Sequence, residues 1–133
     1  MRLTTRSEYG LLALIFLARQ DREVYFSVDA IAQAQRIPAK FLEQILLTLK
    51  RSGYVRSSRG PQGGYQLAKP ADEITIAEIV RILDGALAPT YSVSRYFYEP
   101  TPIEREQSLV KLFQEIATQI SAIMENTSIA DVT

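Results

Sequence analysis

The chain of 133 residues contains no cysteine, no histidine and no tryptophan. Without cysteine it can form no disulfide, provides no thiolate nucleophile and offers no sulfur ligand to zinc or to an iron–sulfur cluster. Without histidine, imidazole-ligated metals and the commonest general acid and base are also excluded. Most side chains that enzymes use are therefore missing, and we expect neither catalysis nor a metal or other cofactor.

Long apolar runs are missing as well. No segment approaches the ~20 apolar residues that cross a bilayer, and the N-terminal segment carries Glu8 and lacks a small-residue cleavage site. A hydrophobic fraction of 47% is enough for one compact core in a chain of this length. The sequence predicts a cytoplasmic protein without membrane contact.

The formal net charge is zero, but the two halves of the chain carry opposite charges. Residues 1–70 hold 11 basic and 5 acidic residues, a net charge of +6, whereas residues 71–133 hold 4 basic and 10 acidic residues, a net charge of −6. This division suits a protein whose first half binds a polyanion. Charges that are simply solvated explain it equally well.

Two helices are predicted near the N-terminus. Thr4 or Thr5 can cap a first helix that ends near Gln20, since apolar residues then recur at helical spacing. Ser27 can cap a second helix that spans roughly Val28–Gln35.

A third helix is predicted after Pro38, which fits the first helical position because its missing N–H would have no partner there. Its apolar residues recur at helical spacing and are expected to face inward, namely Phe41, Leu42, Ile45, Leu46 and Leu49. Its polar residues are expected outside, namely Lys40, Glu43, Gln44, Lys50 and Arg51.

Strand signals lie before the second helix and after the third. Residues 24–28 form a β-prone run that predicts one short strand. Gly53 ends the third helix, and two further strands, 54–58 and 65–68, are separated by the glycine-rich turn 59–64. The sequence therefore predicts a hairpin with a basic, glycine-rich tip.

The second half begins with a fourth helix, capped by Thr75 and ending at Gly85. Residues 86–102 lose helical periodicity, and a final long helix begins at about Ile103. Residues 126–133 are expected to fray. The apolar stripe of the final helix consists of Leu109, Leu112, Phe113, Ile116, Ile120 and Ile123.

The order helix, helix, helix, strand, strand is that of a winged helix. We expect a mainly α fold with a small β wing, made of a winged helix-turn-helix domain over 1–85, an aromatic, proline-containing linker over 86–102, and a dimerisation helix with its tail over 103–133. In such a fold the third helix fits the major groove of duplex DNA and the hairpin reaches an adjacent groove.

Several segments resemble the bacterial winged-helix regulators typified by the iron–sulfur cluster regulator IscR, over about two-thirds of the chain. These segments are 1–6 with Tyr9, 41–46, 49–55, 59–68, 74–76 and 84–85. The resemblance implies a transcription regulator that binds double-stranded DNA. It also implies that the final helix pairs two subunits, so that a homodimer binds a pseudo-palindromic operator.

The resemblance further implies roles for individual residues. Those expected in the major groove are Lys40, Glu43 and Gln44. Those expected in the wing and the minor groove are Arg59, Gly60, Pro61, Gly63 and Gly64. The candidate phosphate contacts are Arg2, Arg6, Lys50, Arg51 and Arg56. Ordinary solvated side chains are the alternative for Glu43 and Arg59.

The sequence departs from the family in the segment that corresponds to 86–102. Cluster-binding members carry three cysteines and a fourth ligand there, whereas this chain has no cysteine and no histidine. We therefore expect no cluster and no thiol redox switch. The aromatic residues of the segment are candidates for a small-molecule or protein effector site, or for anchoring the loop, and these are Tyr91, Tyr96, Phe97 and Tyr98.

We therefore interpret the chain as a homodimeric, sequence-specific transcription regulator. A repressor is favoured, because a bound dimer blocks polymerase by occupancy alone. The alternatives are a protein-interaction adaptor and a regulator that senses a small molecule through residues 91–98.

Overall fold

The computed structural model describes all 133 residues. The α-helices are α1 (Thr5–Ala18), α2 (Val28–Gln35), α3 (Ala39–Arg51), α4 (Ile76–Asp84) and α5 (Gln107–Glu125), and the strands are β1 (Val55–Ser58) and β2 (Gly64–Leu67). Short 3-10 turns occupy Ala71–Glu73, Tyr91–Val93, Pro102–Arg105 and Ala130–Val132. None of the helices has the length and apolar character that crossing a membrane would require. The fold is mainly α with a two-stranded wing, as predicted.

Side-chain caps define three helix starts, because each satisfies an otherwise unpaired backbone N–H. Thr4 accepts from the amide of the third residue of α1, and Ser27 accepts from the amide of Ala30 at 3.1 Å. Thr75 and Glu78 form a reciprocal capping box at the start of α4. The capping roles predicted for Thr75 and Ser27 are confirmed, and Thr4 rather than Thr5 caps α1.

The main core lies where α1 packs against α2, α3 and α4, with the sheet closing one side. Buried side chains from α1, α2, α3, α4 and the sheet meet in this core. The largest of them are Leu14, Ile31, Leu42, Leu46, Leu49, Leu67 and Ile79. Burial of the apolar face of α3 fixes the opposite face toward solvent.

The wing is attached to the segment before α2 by a pair of hydrogen bonds. The amide of Phe26 donates to the Tyr65 carbonyl at 2.8 Å, and the amide of Tyr65 donates to the Phe26 carbonyl at 2.7 Å. Gly64 allows this approach, since a Cβ there would lie 2.2 Å from the Phe26 carbonyl oxygen. The strand predicted over 24–28 is thus reduced to a single bridge at Phe26.

The prediction that Phe41 faces inward is wrong, because 44% of this residue is exposed. Leu42, Ile45, Leu46 and Leu49 fill the inward stripe of α3, and Phe41 lies about 100° around the helix from Leu42. Its ring packs edge-on against Tyr9 of α1, with 5.6 Å between the ring centroids.

The prediction that the C-terminal tail frays is also wrong, because residues 126–133 pack against the rest of the fold. Ile129 is completely buried in the main core, and its amide donates to the Ile74 carbonyl at 2.8 Å. The amide of Ile76 donates to the Thr127 carbonyl at 2.9 Å. The buried isoleucine and these backbone bonds oppose the entropy cost of ordering the tail.

The final helix begins later than predicted. Residues Pro102–Arg105 form a 3-10 turn, and α5 starts only at Gln107. Of the 19 residues of α5, only Ala117 is buried. Most of this helix is therefore free to contact another molecule.

We expect Ile129→Ala to lower the free energy of unfolding by about 2–5 kcal/mol, because it leaves a cavity in a packed core. Val132→Ala is the matched control, since Val132 is 43% exposed and close by in the tail, and it should change stability by less than about 0.5 kcal/mol. Urea denaturation of both variants measures the difference. Equal stability of the two would contradict the ordered tail.

Candidate nucleic-acid interface

The outward face of α3 carries a stripe of four residues, Lys40, Gln44, Leu47 and Arg51, at spacings of four, three and four. Such spacing aligns side chains along one side of a helix. All four are exposed. This outward stripe is the part of α3 that a groove of DNA can meet.

Glu43 and Lys50 lie beside the outward stripe and are also exposed. Burial and the nearby Glu43 carboxylate raise the pKa of Tyr65, which belongs to β2. Glu43 therefore lies on the side of α3 nearer to the wing. A carboxylate there accepts hydrogen bonds, as cytosine N4 requires.

The tip of the wing presents Arg59, Gly60 and Pro61 to solvent. Gly60 has a φ of +96°, in the region that favours glycine, and its carbonyl accepts from the Gly63 amide at 2.9 Å. Gly63 has no room for a side chain, because a Cβ there would lie 2.3 Å from the Ser58 carbonyl oxygen. The turn is therefore closed and holds Arg59 at its outer end.

The candidate phosphate contacts differ in how they are held. The Arg6 guanidinium donates to the Thr48 hydroxyl of α3 at 2.9 Å, and the Arg56 Nε donates to the Gln66 side chain at 2.6 Å. Arg2, Lys50 and Arg51 are exposed. The ion pairs of the structure both involve Glu125, which belongs to α5. The cations of α3 and the wing thus have no acidic partner and favour a polyanion.

The aromatic linker does not form one cluster. Tyr96, Phe97 and Tyr98 line a cavity of about 510 Å³ between the linker and α5. Tyr91 lies elsewhere, in a depression that it shares with Arg2 and Asp84. Three of the four predicted linker aromatics are therefore brought together.

Three charged side chains and the Tyr96 ring line one part of this cavity. The Arg81 guanidinium lies 4.8 Å from the centroid of the Tyr96 ring and donates to the Glu125 carboxylate at 2.6 Å. Arg95 lies 5.1 Å from the same ring centroid. The hydrogen bond from Arg81 holds the pKa of the Glu125 carboxyl below its usual range. Arg81, Arg95 and Glu125 were missed by the sequence analysis, because pairing across 44 residues leaves no local pattern.

The apolar stripe of α5 is mostly exposed. Phe113 and Ile120 are half-buried, and Ile123 is 69% exposed. The other exposed members are Leu109, Leu112 and Ile116. The cavity-lining residues of α5, such as Gln114 and Thr118, lie on the opposite side of the helix. The exposed stripe and the cavity are thus separate surfaces.

Two exposed apolar residues of α3 were not predicted as site residues. Phe41 and Leu47 line a depression together with Arg6, Gln44, Ile45, Thr48 and Arg51. Leu47 could have been found from the sequence, because it lies seven residues after Lys40 on the polar side of the helix.

Comparisons with known proteins point to one family. The family described as Rrf2, iron-dependent transcriptional regulator, matches residues 3–133. The HTH-type transcriptional regulator CymR of Bacillus subtilis is 31% identical over 131 residues, which cover 98% of this chain and 88% of CymR. The structure of CymR, the global cysteine regulator of B. subtilis, has a TM-score of 0.79 at 30% identity and covers 99% of this chain and 95% of CymR. The structure of T. potens IscR has a TM-score of 0.77 at 26% identity and covers 99% of this chain and 85% of IscR.

Iron dependence in the family description raises the question of a cluster. The segment 86–102 has no cysteine or histidine, and no group of three acidic residues in the structure could hold a metal ion. The side chains present therefore do not fit an iron–sulfur cluster. In every other respect the chain agrees with this family. The agreement covers the fold, the cationic side chains of α3 and the wing, and the match over almost the whole chain. The chain is a winged-helix, DNA-binding transcription regulator rather than an enzyme, and it belongs to the Rrf2 family.

Proposed function

We propose that this regulator binds a pseudo-palindromic operator as a homodimer and represses transcription by occupying it. The observation that carries the proposal is the absence of any acidic partner for the exposed cations of α3 and the wing. Unpaired cations on one face release counterions from DNA on binding. A bound dimer then excludes polymerase without further contacts.

Base reading is assigned to the first turns of α3. Lys40 and Gln44 are exposed on the outward stripe, and Glu43 faces the wing side. Lysine suits guanine, glutamine suits adenine and glutamate accepts from cytosine N4. These three residues therefore determine the preferred sequence.

The wing is assigned to the minor groove. Arg59 stands at the outer end of a closed turn, next to Gly60 and Pro61. An arginine in a narrow, A·T-rich minor groove is stabilised by the concentrated negative potential there. Lys50, Arg51, Arg56, Arg2 and Arg6 supply phosphate contacts that add affinity but no sequence preference.

The exposed stripe of α5 is assigned to the dimer. Leu109, Leu112, Ile116 and Ile123 follow a spacing of three, four and seven, which is typical of a helix that pairs with another. Pairing two copies through this stripe covers apolar area that is otherwise exposed. Two winged helices then reach half-sites about 34 Å apart.

The cavity beside α5 favours a second function, control by a small molecule. It is large enough for a small ligand and combines aromatic rings with guanidinium groups. Arg95 is largely exposed and contacts Glu125 only at 3.9 Å, so it is available to an anionic group. An aromatic carboxylate matches this chemistry through ring stacking and a charge-assisted hydrogen bond.

We expect the purified protein to select a palindromic duplex from a random library.

Lys50→Ala should weaken binding of all duplexes and reduce the slope of log K against log salt by about 0.9 per contact, or about 2 per dimer. Arg105→Ala, an exposed arginine in the 3-10 turn before α5, should leave binding unchanged. Fluorescence anisotropy at two salt concentrations measures DNA binding by both variants. Failure to bind any duplex at low salt would disprove the proposal, and partner-protein binding without DNA affinity would favour the adaptor.

We expect Leu112→Asp combined with Ile123→Asp to give a monomer, because each buries an unpaired carboxylate in the interface. Gln114→Asp lies on the opposite side of α5 and should leave the dimer intact. Sedimentation velocity at micromolar concentration distinguishes the two forms. A monomeric unmodified protein would refute the dimer.

We expect benzoate to raise the melting temperature and to change operator affinity, because it stabilises the state that binds it. Benzyl alcohol, which has the ring without the charge, should have a much smaller effect. Arg95→Ala and Tyr96→Ala should abolish the response to benzoate. An unchanged response in both variants would exclude the cavity as its site.

A further inference from the structure

Leu47 is the apolar member of the outward stripe of α3. It is 38% exposed, and its neighbours along the stripe are Gln44 and Arg51. A leucine at this position adds nothing to the core, since the opposite face of the helix supplies the buried residues. One exposed leucine is ordinary on a protein surface. The residues around Leu47 therefore have to show whether it has a function.

Leu47 shares a depression of about 450 Å³ with a second exposed apolar residue, Phe41. Gln44 and Ile45 also line this depression, and Ile45 is only 1% exposed. The depression is therefore lined by apolar and polar side chains, and two of the apolar residues are exposed. It opens on the face of α3 that a groove would meet.

The depression is held in place from both sides. The Tyr9 ring of α1 supports the Phe41 ring edge-on at 5.6 Å between centroids. The Arg6 guanidinium is fixed by its hydrogen bond to the Thr48 hydroxyl at 2.9 Å. Such support lowers the entropy that must be lost when a ligand group enters.

The charges at the edge indicate what kind of molecule enters. Arg6 and Arg51 both line the depression, and no acidic residue does. A recess that combines apolar and cationic side chains fits an apolar group that is carried by a polyanion. On the major-groove edges of DNA bases, the C5 methyl group of thymine is that apolar group.

We infer that Leu47, together with Phe41, reads a thymine methyl group in each operator half-site. The inference rests on the proposed function, because it requires α3 in the major groove. Arg6 and Arg51 bind the flanking phosphates while the methyl group enters the recess. The specificity is for thymine over uracil and over unmethylated cytosine at that position.

The test uses the full-length protein and the operator selected from the random library. Each thymine of one half-site is replaced in turn by uracil, which lacks only the methyl group. Affinity should fall roughly threefold to fivefold at one position, the loss expected for one buried methyl group. Uracil outside the footprint should have no effect.

Leu47→Ala should bind the thymine operator with a similar loss and should no longer distinguish uracil from thymine at that position. Alanine is the best helix former, and Leu47 is not a core residue, so the variant keeps its fold; circular dichroism checks this. Lys50→Ala is the control on the same helix. It should weaken both duplexes equally and preserve their ratio.

The inference is overturned if Leu47→Ala keeps the thymine preference of the unmodified protein. It is also overturned if the unmodified protein prefers its operator over random duplexes yet ignores every uracil substitution. In both cases the proposed function stands. A protein that cannot distinguish the operator from random DNA would overturn the inference and the proposed function together.

Discussion

Burial of one face of α3 against α1 determines which side chains of α3 this regulator can present to DNA. Leu42, Leu46 and Leu49 are completely buried, and together they fix the rotation of the helix about its axis. A change in that rotation would expose leucine and bury lysine, which is costly in both directions. The outward stripe and its unpaired cations follow from this packing. The face that we propose to bind DNA is thus set by a hydrophobic contact on the other side of the helix.

A second constraint fixes the position of the wing on the rest of the fold. The paired hydrogen bonds between Phe26 and Tyr65 tie the hairpin to the segment that leads into α2. Glycine at position 64 is required, since any side chain would strike the backbone of that segment. The hairpin is therefore held against the body of the fold, as the proposed binding of two neighbouring grooves requires.

The acidic second half of the chain is attached to the rest of the fold at two places. α5 is attached to α4 through the hydrogen-bonded ion pair of Arg81 with Glu125, and the tail returns to the core through Ile129. These attachments leave the exposed stripe and the cavity on opposite sides of α5. The family is described as iron-dependent, and this chain has no cysteine with which to bind an iron–sulfur cluster. The cavity beside α5 is where we propose that another signal acts.

The sequence by itself determined the helix starts at Ser27 and Thr75, the hairpin and the family, because capping, turn chemistry and motif spacing act between residues that are close along the chain. Tertiary structure alone decided that Phe41 is exposed, that Ile129 is buried and that Arg81 pairs with Glu125. Each of these depends on which distant segment fills a given space. Local periodicity gives the face of a helix, but only packing determines which neighbour covers it.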